Sequence, residues 1–311
     1  MIRWLTDCPE TTACFLPAGA TWKFIPPGTW TAEDALLLDS FAPGRDGWQA
    51  WSPAEQARTV VLIDDAADSQ FDVVLEATKR GALWPEQLVA LALTGQRFRG
   101  QHQRPWTALR GNLHLTAHYA VDLDATRDQA ALTMTPALAV AETVRQVSGE
   151  KFTPVIKWIN DVFVGGGKVS GGLTATSVRG GRVERVTFGI GMNIAQTPEV
   201  EPTPFVPAAG CLADHDPSMR DLLPEIFHAL VHQLDRAIEL IAGGQGADIF
   251  ARYRSMSGCL GKPVRIWPEG TVDWRATAPL CEGEVLALHS DLSLDVAGYP
   301  QRIRGGRMAL L

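Results

Sequence analysis

The chain has 311 residues, of which 46% are hydrophobic and 20% charged, and a formal net charge of -7. That length allows one large core and a small second one, while the acidic balance gives no general attraction to a phosphate backbone, so no nucleic-acid binding is expected. No run approaches the ~18 apolar residues of a membrane span, and the polar, proline-containing stretch after Trp4 does not read as an export signal. The five cysteines are scattered and never form a C-x-x-C pair, which excludes a zinc ribbon or a disulfide framework and points to reduced thiols in the cytoplasm.

Residues 1–58 are rich in Trp, Pro and Gly and read as an N-terminal extension packed on the large domain, with a helix over Thr31–Phe41 that Thr31 caps. Arg58–Ile63 reads as a buried strand, and Asp68–Gly81 as an amphipathic helix stopped by its glycine. Leu88–Leu93 and Gly111–His118 are further strands, and Thr135-Pro136 opens a helix that runs to Gly149. Three apolar runs, Val155–Val164, Val169–Val178 and Val183–Ile194, are joined by glycine-rich turns and predict three consecutive antiparallel strands. Next comes a long amphipathic helix over Met219–Ala242. After Ser257-Gly258, short strands at Pro263–Trp267, Gly283–Leu288, Leu292–Val296 and Gln301–Ile303 predict a small β-barrel. The resulting domain division is 1–58, 59–257 and 258–311.

The chemistry concentrates in Lys157-Trp158-Ile159-Asn160-Asp161, an ammonium, an amide and a carboxylate within five residues. On a straight strand Lys157 and Asp161 share one face and Asn160 the other, so a bulge or a wrapped strand end is needed to unite them. The bland alternative is a surface ion pair. Gly165-Gly166-Gly167-Lys168-Val169 lacks the first glycine and the Ser/Thr of a phosphate loop, and Gly189-Ile190-Gly191-Met192-Asn193-Ile194 lacks the third glycine of a dinucleotide fingerprint. Both read as tight turns or strands that something approaches closely. The loop from Gly95 to Trp106 carries Arg97, Arg99 and Arg104 on a flexible backbone, suited to enclosing an anion or simply to facing solvent. The seven histidines show no metal-ligand spacing, and no G-x-S-x-G offers a serine nucleophile.

In order, the basic glycine loop, Trp106, Gly111-Asn112-Leu113, Lys157–Asp161, Gly167–Leu173 and Gly189–Asn193 resemble the biotin and lipoate protein ligase superfamily over roughly residues 60–260. The tail, with Leu260–Ile266 and Gly283–Leu286, is similar to the SH3-like domain that comes after the catalytic domain of biotin protein ligases. The resemblance implies an α+β fold, a class II synthetase-like catalytic domain with a mixed, largely antiparallel sheet and a small SH3-like β-barrel. It implies an ATP-dependent ligase that converts biotin to biotinyl-5'-AMP and transfers the acyl group to a lysine of a biotin carboxyl carrier protein. Homodimerisation is expected only by analogy with that family.

On the same resemblance, Lys157 supplies the catalytic charge, Arg97 and Arg99 close over the adenylate, and Asp161 orients Lys157 or helps to hold Mg²⁺. Asp68, Ser69, Gln70, Gly95, Gly100, Trp106, Asn112, Lys168, Gly171 and Gly172 bind substrate, and Asn160, Gly191 and Asn193 bind the nucleotide. The chain departs from the family pattern at several of these positions. The arginine-rich loop reads Gly95-Gln96-Arg97-Phe98-Arg99-Gly100-Gln101, the serine-threonine-asparagine motif reads Asp68-Ser69-Gln70, and Ala92 stands where a glutamine is usual. Two other readings therefore stay open: a ligase for lipoate or octanoate, and a non-catalytic relative that binds an acyl-adenylate or a carrier domain.

Overall fold

The computed structural model describes residues 1–311 as two sheets. In chain order the first carries β1 (Ile2–Thr6), β2 (Lys23–Ile25), β3 (Gly47–Ser52), β4 (Arg58–Ile63), β5 (Gln87–Ala92) and β6 (Leu113–Asp124). It continues with β7 (Val155–Lys157), β8 (Asp161–Val164), β9 (Gly167–Arg179) and β10 (Arg182–Met192). Between them lie α1 (Pro9–Thr12), α2 (Ala32–Phe41), α3 (Gln70–Lys79) and α4 (Gln129–Val147), and after them α5 (Leu223–Ala242) and α6 (Gly246–Ser255). The second sheet holds β11 (Pro263–Trp267), β12 (Cys281–Leu288), β13 (Leu294–Val296), β14 (Tyr299–Ile303) and β15 (Arg307–Leu310).

The ten strands run in the order β2-β3-β1-β4-β5-β6-β10-β9-β8-β7. Only the β1–β4 and β4–β5 pairings are parallel, so the sheet is mixed and largely antiparallel, as expected. Alternation explains how it is buried on both faces. Val60 and Leu62 of β4 join the cluster formed with α4 and α5, while Val61 and Ile63 join the one formed with α2 and α3. The tail folds as a separate five-stranded antiparallel sheet, β14-β13-β12-β11-β15.

Several local predictions meet their elements directly. Thr31 caps α2 through a reciprocal capping box with Asp34, and Gly81 takes the positive φ of 87° just past α3. The prediction for α4 misses its start. The helix begins at Gln129, six residues before Thr135, and Pro136 lies inside it. Proline removes the N–H that would bond the Leu132 carbonyl, and the Thr174 hydroxyl of β9 donates to that carbonyl instead (3.4 Å). Gly172 makes room, since a Cβ there would lie 2.6 Å from the Pro136 ring. The predicted strand 155–164 is also two strands, β7 and β8, folded at Trp158–Asn160. The short helix α6 and the last strand β15 carried too little periodicity to be predicted.

The first 58 residues are built into the sheet. β1 lies between β3 and β4, and its Trp4, 2% exposed, packs on Phe227 of α5 and donates its indole N–H to Ser52 (2.9 Å). Trp4→Ala should therefore cost about 3–5 kcal/mol of global stability. Urea unfolding followed by fluorescence and by far-ultraviolet dichroism should move together; a stability unchanged within error would show that β1 is peripheral.

Candidate active site

A cavity of about 370 Å³ opens between the glycine loop, the β9–β10 surface and the segment that leaves β10. Its floor depends on absent side chains. Gly171 and Gly191 face each other across β9 and β10, and a Cβ on Gly191 would lie 2.3 Å from the Trp106 ring. A Cβ on Gly171 would meet Lys168 and Asp161 at 3.4 and 3.5 Å, ordinary contact distances. Trp106 is oriented in turn by donating its indole N–H to His114 Nδ1 (3.3 Å). An indole can only donate, so His114 carries its proton on Nε2 and gives it to the Leu109 carbonyl (3.2 Å). Burial pushes His114 down to about 4, so it stays neutral.

The turn at Trp158–Asn160 resolves the conflict of faces. Reversal of the chain makes Lys157 and Asp161 a cross-strand pair, and the turn between them is held by the groups around it. The Trp158 indole donates to the Leu292 carbonyl of the C-terminal sheet (2.8 Å), and the Tyr253 hydroxyl of α6 donates to the Ile159 carbonyl (2.6 Å). Asn160 exchanges bonds with Gly172, its side-chain amide donating to that carbonyl and its own carbonyl accepting from that N–H. Asn160 and Asp161 line the cavity.

Asp161 pairs with Lys168 at 2.6 Å. Burial pushes this carboxyl up, but Lys168 and Lys157 outweigh it and hold it below the usual range. Lys157 is 5% exposed and does not line the cavity, its ammonium donating to the carbonyl of Phe205. Burial is the largest cause of its depression to about 8; Asp161 opposes it, and Lys168, Arg307 and Arg104 add to it.

Other predicted residues fall in three groups. Ser69, Gln70, Arg99, Gly100, Trp106, Lys168, Gly171, Gly172, Gly191 and Asn193 form part of the wall. Arg97, Asp68 and Gly95 do not. Arg97 and Asp68 form a half-exposed bidentate pair (2.6 and 3.0 Å), and Gly95 is packed under Phe98 and the Ala66 carbonyl. Asn112 is a correction of another kind. It is fully buried, its Oδ1 accepts from the N–H groups of Ile194, Ala195 and Gln196 (each 3.0 Å), and its Nδ2 donates to the Gln196 carbonyl (2.8 Å). With these bonds made, the side chain fixes the chain as it leaves β10 and has no place in the wall.

Sequence reasoning missed two parts of the site. The segment 198–209, which leaves β10 and contributes Pro198, Val200, Glu201, Thr203, Val206 and Ala209 to the wall, carries no motif beyond its prolines. Arg307 of β15, the other part, lines the cavity beside Arg104 of the glycine loop. Arg307 lies 3.6 Å from the centre of the Phe205 ring and is pushed down to about 10, first by burial and then by Arg104. Four cationic side chains, Arg99, Arg104, Lys168 and Arg307, thus face a wall whose acids are Asp161 and Glu201. No three His, Cys, Asp or Glu residues gather where they could hold a metal ion, and Asp161 is engaged by Lys168. These residues form no all-protein cage for Mg²⁺.

The architecture resembles that of solved biotin protein ligases. It resembles the Aquifex aeolicus biotin protein ligase crystallised with biotin and ATP (TM-score 0.60, 18% identity, 81% of this chain and 98% of that one). It also resembles a biotin protein ligase-like protein of unknown function from Silicibacter sp. TM1040 (TM-score 0.55, 13% identity, 79% and 93%). Residues 67–193 match the model of the biotin/lipoate A/B protein ligase family. The biotin--[acetyl-CoA-carboxylase] ligase of Paracoccus denitrificans is 36% identical over 144 residues, 44% of this chain and 60% of the relative. The bifunctional ligase/repressor BirA of Bacillus subtilis is 28% identical over 156 residues, 49% of this chain and 42% of the relative. The chain spans about half the length of these curated relatives.

This geometry has two measurable outcomes. Asn112→Ala leaves the buried N–H groups of Ile194 and Ala195 without an acceptor and should cost about 2–3 kcal/mol in urea unfolding; a smaller loss would mean that other groups hold the exit of β10. Because folding depresses Lys157 to about 8, the unfolded amine binds the proton more tightly, and this group's contribution to stability rises between pH 8 and pH 10. Lys157→Met should flatten that rise in a pH series of urea midpoints; an unaltered slope would place the amine in contact with water.

Proposed function

We propose that the chain is an ATP-dependent ligase of the biotin protein ligase type. It forms biotinyl-5'-AMP and pyrophosphate, and then transfers the biotinyl group to a lysine of a biotin carboxyl carrier protein. The observation that carries this reading is the convergence of Arg99, Arg104, Lys168 and Arg307 on one cavity, with the buried Lys157 paired across the β7–β8 hairpin with Asp161 of its wall. Few ligands other than a polyphosphate joined by a carboxylate call for so many cations around an aromatic and glycine-lined slot.

In this mechanism the carboxylate oxygen of the acid attacks the α-phosphorus of ATP, and the bond to the pyrophosphate oxygen breaks. Charge builds on the oxygens of the α-phosphate, where fixed cations in a dry site stabilise the transition state more than the ground state. Lys157 reaches those oxygens by exchanging the Phe205 carbonyl for them. Lys168 stays with Asp161 beside the reacting centre, and Trp106 covers the mixed anhydride from water. The amine of the carrier lysine then attacks the acyl carbon, the bond to AMP breaks, and the amine loses its proton. Asn193 and Asn160 border the region assigned to the nucleotide, and Mg²⁺ enters as the counter-ion of the triphosphate rather than from a protein cage. In this proposal residues 59–257 are the catalytic unit, 258–311 an SH3-like unit that lends Arg307, and 1–58 an extension of the sheet. No helix is long and apolar enough to cross a membrane, and a cytoplasmic enzyme, homodimeric by analogy, completes the reading.

A second reading, activation of lipoate or octanoate, draws on the Phe98 and Trp106 rings in the wall. ATP–pyrophosphate exchange measured with biotin, lipoate, octanoate and no acid should respond to biotin. Exchange with lipoate or octanoate alone would favour the second reading, and none with any acid would leave a binding protein. Lys157→Ala should lower acid-dependent exchange roughly 10²–10³-fold while the protein stays folded; undiminished exchange would remove Lys157 from the chemistry.

A further inference from the structure

The end of α6 and the chain that leaves it form a brace along the lysine hairpin. β7 is the last of the ten strands, and Met256–Gly258 run parallel to its open edge. The Ile156 N–H donates to the Met256 carbonyl and the Gly258 N–H to the Ile156 carbonyl (each 2.8 Å), so backbone groups of the edge strand are met. The approach is close. A Cβ at position 258 would lie 2.2 Å from Val155 Cγ1, on a β-branched side chain with little room to turn aside.

Tyr253 carries the brace onto the turn itself. It shares the buried face of α6 with Ile249, one turn earlier, and α6 is tied to α4 by the pair of Arg252 with Glu142. Its hydroxyl donates at 2.6 Å to the Ile159 carbonyl, midway along the chain between Lys157 and Asp161. Burial, and after it Cys259 and Asp161, push this phenol well above its ordinary range, so it keeps its proton and stays a donor. A phenylalanine would fill nearly the same space. What the hydroxyl adds is the one bond to the turn.

We propose that the brace Tyr253–Gly258 positions Lys157 for acyl-adenylate formation, with Tyr253 as the positioning residue at the turn. Holding the Ile159 carbonyl fixes the bend of the hairpin, and the bend sets where the Lys157 ammonium stands. A cation that acts on charge developing at the α-phosphate loses its effect when it is misplaced by even a fraction of an ångström. Biotin and ATP are held by other side chains of the cavity, so their binding survives a loosened hairpin. The brace therefore governs the rate of the chemical step and not the affinity for either substrate. The inference rests on the acyl-ligase reading and deepens it by giving the α6–β11 junction, which touches no substrate, a part in the reaction.

The test is biotin-dependent ATP–pyrophosphate exchange by the full chain, for wild type, Tyr253→Phe, Gly258→Ala, Lys157→Ala and the double variant Tyr253→Phe/Lys157→Ala. Tyr253→Phe should lower kcat roughly 5–20-fold, the worth of one hydrogen bond, with KM for biotin and for ATP kept within about twofold. Gly258→Ala, which displaces the brace without touching the hydroxyl, should show the same split and decides the matter should Tyr253→Phe not fold. If Tyr253 acts through Lys157, adding Tyr253→Phe to Lys157→Ala should lower the residual exchange by less than about twofold, whereas a merely structural role would lower it by the full factor again. An unaltered kcat in Tyr253→Phe, a loss that falls on KM, or the same factor in both backgrounds overturns the assignment while wild-type exchange leaves the ligase reading intact. Wild type that supports no exchange with any acid brings down the ligase reading, and this assignment with it.

Discussion

A three-residue turn, Trp158–Asn160, carries the electrostatics of this molecule. It makes Lys157 and Asp161 opposite partners across a hairpin instead of neighbours along one strand. Once they face each other, the remaining charges fall into sequence. Lys168, two strands from Lys157, closes on Asp161, and the pair of lysines around one carboxylate keeps it ionised despite burial. The turn could not hold this shape alone. Its indole is bound to the C-terminal sheet, its middle carbonyl to Tyr253 of α6, and its last residue to Gly172 of β9. Distant parts of the chain are thus required to place one ammonium group.

That dependence explains what was legible in the sequence and what was not. Most strands of the large sheet were readable, because the continuous apolar run of β4 and the glycine turns around β9 and β10 are local signals. The lysine signature could be singled out by its residue types, yet the period-two rule read its hairpin as one strand. Nothing local announces that Tyr253 and Leu292 will pin a turn between them. Pro136 misled in the same way: its ring is tolerated inside α4 only because Thr174, on another element, serves the carbonyl it abandons. Asn112 was picked out as a polar residue beside a glycine, but only the fold reveals that three backbone N–H groups already claim its oxygen.

The site shows the same division. Glycines that admit Trp106 and the residues of the lysine signature lie near one another in sequence and could be named in advance. Arg307 and the segment 198–209 could not, since a lone arginine in a terminal strand and a proline-rich connection have no periodicity to betray them. Their contribution is large. Where Arg97 is drawn away to Asp68, the cavity keeps its positive charge through Arg104 and through Arg307, the latter delivered by the small sheet. Arg307 sits on a strand rather than on the glycine loop, so it needs less ordering when an anion arrives.

Phe205 joins these parts mechanically. Its carbonyl accepts from Lys157, its ring meets Arg307 face-on, and it packs edge-on against Trp267 of β11. The same residue therefore occupies the ammonium proposed for catalysis and ties the 198–209 segment to the small sheet. A polyanion entering the cavity competes for both cations at once, for Lys157 with the carbonyl and for Arg307 with the ring. Because a phosphate is a far stronger partner for either cation than a carbonyl or a π-face, binding should free Phe205 from both. An added phosphate would raise the proton affinity of Lys157, so the ammonium is most firmly charged when there is an anion for it to act upon.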